Sequence, residues 1–464
     1  MNSWHFNVSK FAFVQLWLLG IFLVQLLLGL FIEADDSYIH FLQYELAAIY
    51  VWSIISASKE SGFLNLYVMF LFTLGVFILS RIFLDLFGLF EWEWADKWND
   101  FYLPLDVQYK VLVLLILSLL LTHLGALLGK PYLKDRNIRF SHSERIEKWS
   151  VLLFLLAVPG TFVKYMIQLR EILARGYLAV YDGTLSHLTY PIWTTGAISI
   201  MEFSYCLFLS SKPSRKKFLI ISAIFFMLRM VDVLKGGRSR MFLPVIFLMW
   251  YYYSFYAKNA RVNWRKMFLI AAVGIVVSQV LLEFRRGDVA ADYSSDLFLL
   301  FFSQQGVSLL VFAYLIYYDG IFVNTGSPYI LYPLSLFQTF EGQTFEFVQT
   351  TSSLGHKLTY FLSSSAYLNG AGIGSSYLGE FYDLGVVLFL VLSFLAGFLM
   401  RYFEKLVRHY RIFMFLSFVI VPNFIYMPRS SFFPALQQIV MLLLFYTLVL
   451  WMSEKVRLPR LTFS

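Results

Sequence analysis

The sequence predicts an all-α polytopic integral membrane protein, with about 12 transmembrane helices (10–14) and a large outer loop region over 284–376. Three observations predict it. Of 464 residues, 59% are apolar and only 14% charged, roughly half the charge of a soluble domain. Apolar windows long enough to span a bilayer recur along the whole chain. The connections between them alternate between basic and acidic. A soluble fold of this length still leaves about a quarter of its surface wet, so it has nowhere to hide so much apolar surface. A cytosolic enzyme, a disordered tail and a fibrous protein are excluded.

The apolar windows are 11–32, 46–57, 63–86, 109–129, 150–169, 191–211, 218–234, 241–257, 267–283, 377–400, 412–427 and 433–452. The first is about 22 residues long with no small-residue cleavage pattern after it, so it reads as a retained anchor. The second and eleventh are short, which predicts tilted or broken helices. No internal repeat, low-complexity tract or soluble domain interrupts the series, so 1–464 reads as one transmembrane domain. The region 284–376 is far longer than a usual connection. Within it, 297–318 is apolar but broken by Ser303, Gln304, Gln305 and Gly306. That pattern leaves an extra span, a re-entrant segment and an interfacial helix all open.

The loops at 130–148, 212–217, 258–266 and 401–411 and the tail at 454–460 are basic, whereas 33–45 and 91–106 are acidic. The positive-inside rule then places both termini and every basic loop in the cytoplasm. Of 37 Lys and Arg, 23 fall on that side, so the net charge of +8 belongs to membrane orientation and needs no nucleic-acid partner. The single cysteine, Cys206, sits in an apolar run and has no partner for an intramolecular disulfide.

The remaining cations oppose the orienting signal and need a reason. Lys164, Arg170, Arg175, Arg229, Lys235, Arg238, Arg240, Arg285, Arg286 and Arg429 recur near the outer ends of the spans closing at 169, 234, 283 and 427. A bundle would gather them around one outward cavity. Arginine binds phosphate oxygens bidentately and stays charged, so Arg238, Arg240, Arg285, Arg286 and Arg429 are candidates for holding a lipid-linked diphosphate. The alternative is that these arginines snorkel to ordinary lipid phosphates or pair with acids.

Residues 369–385, NGAGIGSSYLGEFYDLG, form a glycine-rich segment entering an apolar span. Glu380 and Asp383 are three apart and would share a helix face at its start. Acids in a membrane segment default to a functional reading, and Glu380 is the first candidate general base. Against that stands a plain capped helix start, with Ser375 or Ser376 as the cap. Glu341 and His356, in the outer loop region, are further candidate bases, since imidazole titrates near neutrality. The histidines have no metal-ligand spacing, and nucleotide motifs are absent, so neither a metal nor another cofactor is expected. Pro422, Pro428 and Pro434 break the chain around Arg429, as happens where backbone lines a buried or wet cavity.

KGGRSRMFLPVIF (235–247), EFRRGD (283–288), GAGIGSSYLGEFYDLG (370–385) and MPRSSFF (427–433) together resemble the oligosaccharide repeat-unit polymerases, the Wzy-type O-antigen and capsule polysaccharide polymerases. The resemblance covers roughly 235–452, and its most specific part is the Gly-Ser-Ser-Tyr-Leu-Gly-Glu run. It implies a glycosyltransferase of the bacterial inner membrane with a periplasmic active site. Such an enzyme moves a growing glycan from undecaprenyl diphosphate to the non-reducing-end sugar of a new undecaprenyl-diphosphate-linked repeat unit. It further implies membrane lipids, a flippase and chain-length regulator proteins as partners. The competing readings are an O-antigen ligase using the same donor and a lipid-linked oligosaccharide transporter or flippase; the latter expects repeat symmetry, which the sequence lacks.

Overall fold

The computed structural model describes residues 10–29, 35–95, 100–129, 140–175, 188–233, 239–256, 273–274, 276, 297–323, 326–336, 340 and 342–455. In chain order come α1 (Lys10–Gly29), α2 (Asp36–Ser61) and α3 (Leu66–Leu74), followed by a π-helical turn (Gly75–Leu79) that leads into α4 (Ser80–Leu86). A short antiparallel hairpin of β1 (Trp94–Ala95) and β2 (Phe101–Tyr102) precedes α5 (Leu105–Leu128). Then follow α6 (Glu144–Arg175), α7 (Ala197–Ser210), α8 (Arg215–Val233) and α9 (Ser239–Phe255). Beyond these lie α10 (Leu297–Gln305), α11 (Val307–Tyr317), α12 (Asp319–Phe322), α13 (Phe345–Thr350), α14 (Leu354–Leu362) and α15 (Ser364–Leu368). The chain ends with α16 (Tyr377–Tyr382), α17 (Val386–His409), α18 (Arg411–Tyr426) and α19 (Leu436–Lys455). Nine helical stretches among the described residues are long and apolar enough to cross a membrane.

α5 and α17 form the central pair. Their small residues let the backbones touch: a Cβ at Gly397 would sit 1.8 Å from the Thr122 carbonyl oxygen, and one at Gly125 would sit 2.0 Å from that of Phe394. Close approach brings Ser118 Oγ to 3.0 Å from Ser393 Oγ, and the Thr122 hydroxyl donates to the Ser393 carbonyl at 3.0 Å. Small residues and interhelical hydroxyl bonds are the usual substitutes for a hydrophobic drive between membrane helices. α1 and α2 pack on α5, while α6 and α7 pair and carry α8, α18 and α19 around them.

The second window, 46–57, is the apolar middle of a helix of 26 residues, α2. Its polar remainder is matched inside the bundle, which hydropathy does not register. Gln25 donates to Glu45, Gln43 to Asp85, and Ser56 Oγ lies 2.7 Å from His123 Nε2. The break foreseen in 297–318 is a single bend at Gly306 between α10 and α11, and 298–317 is one of the nine candidate spans. The tenth window also shifts. Residues 377–382 are a separate short helix, and the span itself begins at Val386 after Gly385, whose φ of +87° turns the chain. The window 267–283 lies almost wholly outside the described residues.

The bundle has two recognisable ends. At one, Arg401 pairs with Glu404, Glu404 accepts the Leu66 N–H at 2.7 Å, and the α2–α3 turn is locked to α17. At the other stands the β-hairpin, where Arg81 reaches the Trp94 carbonyl. The candidate site lies toward this hairpin end.

Candidate functional site

Two stretches far apart in sequence meet here. The glycine-rich stretch leaves α15 and runs through Asn369–Ser376 into α16. The second stretch leaves α18 through a 3-10 turn, Met427–Arg429, and continues over 430–435 into α19. Their joint is Glu380: its carboxylate accepts the Phe432 N–H at 2.9 Å and a bond from the Ser431 side chain. The Phe381 and Phe432 rings lie 5.0 Å apart alongside. Asn423 donates to the Phe432 carbonyl at 2.7 Å, so the second stretch is held from its other side as well.

Glu380 is 1% exposed. Removal from water pushes its carboxyl well above the usual range, up to about 8; the Phe432 N–H and Ser431 pull it down, and Asp383 pushes it further up. A buried carboxyl held ready to take or keep a proton near neutral pH is what general acid–base work requires. Asp383 takes a different partner. α16 ends at Tyr382, and the Asp383 carboxylate turns to the Tyr329 N–H at 3.0 Å. The two acids therefore anchor two different segments.

The glycine stretch is fixed by close backbone contact. A Cβ at Gly355 would fall 2.6 Å from the Gly374 carbonyl oxygen, so α14 lies directly against it. The Ile373 N–H donates to the Thr359 hydroxyl at 3.1 Å and Gln343 donates to the Ala371 carbonyl at 3.0 Å. Gly374 has φ +89°, a left-handed conformation that a side chain would strain. The expected serine cap is not made. Ser376 occupies the N-cap position of α16, yet its side chain makes no cap bond.

Arg429 enters from the second stretch. Its Nη1 donates to the Gln305 carbonyl at 3.0 Å, and its guanidinium lies 5.6 Å from the Phe77 ring centroid. Phe77 belongs to the π-helical turn, a feature often found at functional positions. Arg81, one turn further on, is 1% exposed, donates to the Ser303 carbonyl at 3.0 Å and stacks on Phe90. Two arginines thus address the C-terminal end of α10, where the helix dipole favours cations. Sequence reasoning passed over Arg81, although an arginine inside an apolar window is itself a signal. It also missed Ser431 and the Phe432 N–H, for which no local pattern exists.

The other sequence-predicted residues are placed as follows. His356 opens α14, with Nδ1 3.0 Å from the Tyr367 hydroxyl and its ring among those of Phe340, Phe347 and Tyr367. Burial lowers its pKa to about 4, so it stands neutral in an aromatic setting, and those contacts do not include Glu380. Glu341, Arg238, Arg285 and Arg286 lie outside the described residues, as does the side chain of Arg240, at the start of α9. Arg229 has an internal reason for its charge, an ion pair with Glu202 between α8 and α7. Lys164 lies over the Tyr190 ring. Among the described residues, no three His, Cys, Asp or Glu side chains gather as metal ligands.

A family model described as O-antigen polysaccharide polymerase Wzy matches residues 13–458. No curated protein and no solved structure matches the chain.

Proposed function

The chain belongs to the O-antigen polysaccharide polymerase Wzy family, and from that premise we propose how its site works and on which side of the membrane. The substrate is a lipid-linked oligosaccharide in the membrane. The enzyme resides in the bacterial inner membrane, and the hairpin end of the bundle faces the periplasm. The donor is a growing glycan on undecaprenyl diphosphate, and the acceptor is the non-reducing-end sugar of a new undecaprenyl-diphosphate-linked repeat unit.

In this reading the acceptor hydroxyl oxygen attacks the anomeric carbon of the donor. The bond from that carbon to the diphosphate breaks, and undecaprenyl diphosphate leaves with the electron pair. The hydroxyl proton goes to a general base, for which the Glu380 carboxylate is the assignment, with the Glu341 carboxylate and the His356 imidazole behind it. Arg429, with Arg238, Arg240, Arg285 and Arg286, neutralises the charge that develops on the leaving diphosphate, where electrostatic stabilisation is usually the largest single contribution. One observation carries the assignment. The two stretches singled out in the sequence, 370–385 and 427–433, are joined through the buried Glu380 carboxylate.

Purified protein in lipid, supplied with undecaprenyl-diphosphate-linked repeat units with and without a lipid A core acceptor, tests the reaction. A ladder of chain lengths supports polymerisation. One transfer onto a lipid A core acceptor, without a ladder, would make it a ligase. Movement of the substrate across the bilayer with no new glycosidic bond would make it a transporter.

A further inference from the structure

We propose that Arg81 and Phe77 are positioning residues, which together hold the Arg429 guanidinium in place to receive the diphosphate of the lipid-linked donor. The proposal deepens the polymerase reading and rests on its assignment of Arg429 to the diphosphate.

The observation behind it is one face of the stretch from α3 to α4. Thr73, Phe77 and Arg81 stand four apart, in α3, in the π-helical turn and in α4, a spacing that brings side chains to one side of a helix. All three meet either the segment that carries Arg429 or the helix end on which it rests. The Thr73 hydroxyl reaches the Ile425 carbonyl as well as that of Phe70, just ahead of the 427–429 turn. The Phe77 ring lies 5.6 Å from the Arg429 guanidinium and meets Tyr426 edge-on, with ring centroids 5.4 Å apart. Arg81 Nε donates to the Ser303 carbonyl at 3.0 Å, two residues before the Gln305 carbonyl that accepts from Arg429 Nη1.

These contacts converge on the last turn of α10. A helix end leaves carbonyls without partners inside the helix. Ser80 donates to the Phe302 carbonyl at 2.9 Å, Arg81 to that of Ser303 and Arg429 to that of Gln305. Side chains from α4 and from the 427–429 turn therefore share one helix end. Gly306 permits the approach, since a Cβ there would lie 2.6 Å from Ser80 Oγ and 2.7 Å from Arg81 Cγ. Shifting Arg81 shifts this end, and with it the carbonyl that fixes Arg429.

Burial divides the two arginines by task. Arg81 is 1% exposed, and its Nε and Nη1 are engaged by the Ser303 and Trp94 carbonyls. It is committed to the protein. Arg429 is half-buried, and among the described residues its hydrogen bond goes to Gln305. A guanidinium carries five N–H donors in a fixed fork, so most of them remain for an anion. Held against a ring face and by one N–H, it loses little freedom on binding and can meet two phosphate oxygens as a bidentate pair.

Equilibrium binding to full-length protein in lipid nanodiscs tests the assignment. The probe is undecaprenyl diphosphate, and its control is undecaprenol, which has the same tail and no phosphate. Arg81→Lys keeps a cation at the end of α10 but loses the fork that reaches two carbonyls. Its Kd for undecaprenyl diphosphate should rise about tenfold, equivalent to about 1.4 kcal/mol, with the Kd for undecaprenol unchanged. Phe77→Leu keeps apolar volume without the ring and should raise the same Kd about fivefold; it decides the matter if Arg81→Lys does not fold. On an Arg429→Lys background neither substitution should add more than about twofold, because both act through Arg429. A diphosphate Kd within about twofold of the unsubstituted protein in both variants overturns the proposal and leaves the assignment of Arg429 intact. Equal loss of affinity for both lipids makes Arg81 and Phe77 structural and also overturns it. An Arg429→Lys protein that binds undecaprenyl diphosphate normally removes Arg429 from the diphosphate, and both readings fall together.

Discussion

Replacing Glu380 by glutamine separates chemistry from architecture. In Glu380→Gln the side-chain amide oxygen still accepts the Phe432 N–H that the carboxylate holds at 2.9 Å. A hydrogen bond to a charged group is worth about 1.5–3 kcal/mol and a neutral one about 0.5–1.5. Where the carboxyl is ionised the joint weakens by roughly 1 kcal/mol, offset by no longer burying a charge at a position 1% exposed; below about pH 8 the carboxyl is mostly protonated and the exchange is between two neutral acceptors. Thermal stability should barely move. If Glu380 takes the acceptor proton, the rate of chain extension should fall by about 10²–10⁴, the usual contribution of a general base. Glu380→Ala leaves the Phe432 N–H and Ser431 without their acceptor and should destabilise the protein by about 1–3 kcal/mol for each group stranded. The pH profile supplies an independent check. Burial raises the folded-state pKa from 4.5 to about 8, so the folded state binds the extra proton. The stability this contributes is complete below about pH 4.5 and is lost as pH rises toward 8. Activity runs the opposite way, since only the deprotonated form accepts a proton, and kcat/KM should climb over that window. The assay is chain length and initial rate across about pH 5–9 for the unsubstituted and Glu380→Gln proteins at equal amounts. A Glu380→Gln protein that builds long chains at the normal rate, with the same pH limb, refutes Glu380 as the base and leaves it a joint between segments.

Arg429→Ala should cut polymer formation strongly while the protein still inserts, and Arg429→Lys should rescue it poorly, because a point charge lacks the bidentate fork; polymer length at equal protein levels measures both. Gly397→Leu should abolish the folded bundle, since even a Cβ there would lie 1.8 Å from the Thr122 carbonyl oxygen; yield of monodisperse protein in detergent reads this directly. Reporter fusions should place 212–217, 258–266 and 401–411 in the cytoplasm and 320–360 in the periplasm, and cytoplasmic signal from 320–360 would remove the basis for an outward-facing site.

Hydropathy made most of the spans legible because a membrane helix must present apolar side chains to lipid whatever its neighbours. It failed where a helix is satisfied by protein instead. α2 carries Gln43, Glu45 and Ser56, each matched by a partner on another helix, so only its apolar middle stood out. The same limit applies to cations. Arg229 reads as a misplaced charge until Glu202 appears beside it, and Arg81 is hidden in an apolar window because its partners are the backbone carbonyls of Ser303 and Trp94.

The site was legible in its parts and illegible in its joint. Glycines, serines and an acid at 370–385 stand out as residue types, as does an arginine among prolines at 427–433. What joins them is the backbone N–H of Phe432, which every residue except proline carries, so no sequence pattern marks it. The short helix shows the same thing. Glu380 and Asp383 at a spacing of three predict one shared face, yet their carboxylates accept the N–H groups of two separate segments, Phe432 and Tyr329. Spacing predicts which side chains can share a helix face, but tertiary contact decides which ones do. The unmatched hydroxyls of Ser375 and Ser376 carry the point furthest. A serine before a helix reads as a cap, and only the position of every neighbouring donor and acceptor reveals that the cap was not made. Local propensity is strongest where nothing competes with it. At Ser376 the N-cap position is occupied and the cap bond is absent, so the packing around it, and not the local preference, sets where that hydroxyl goes.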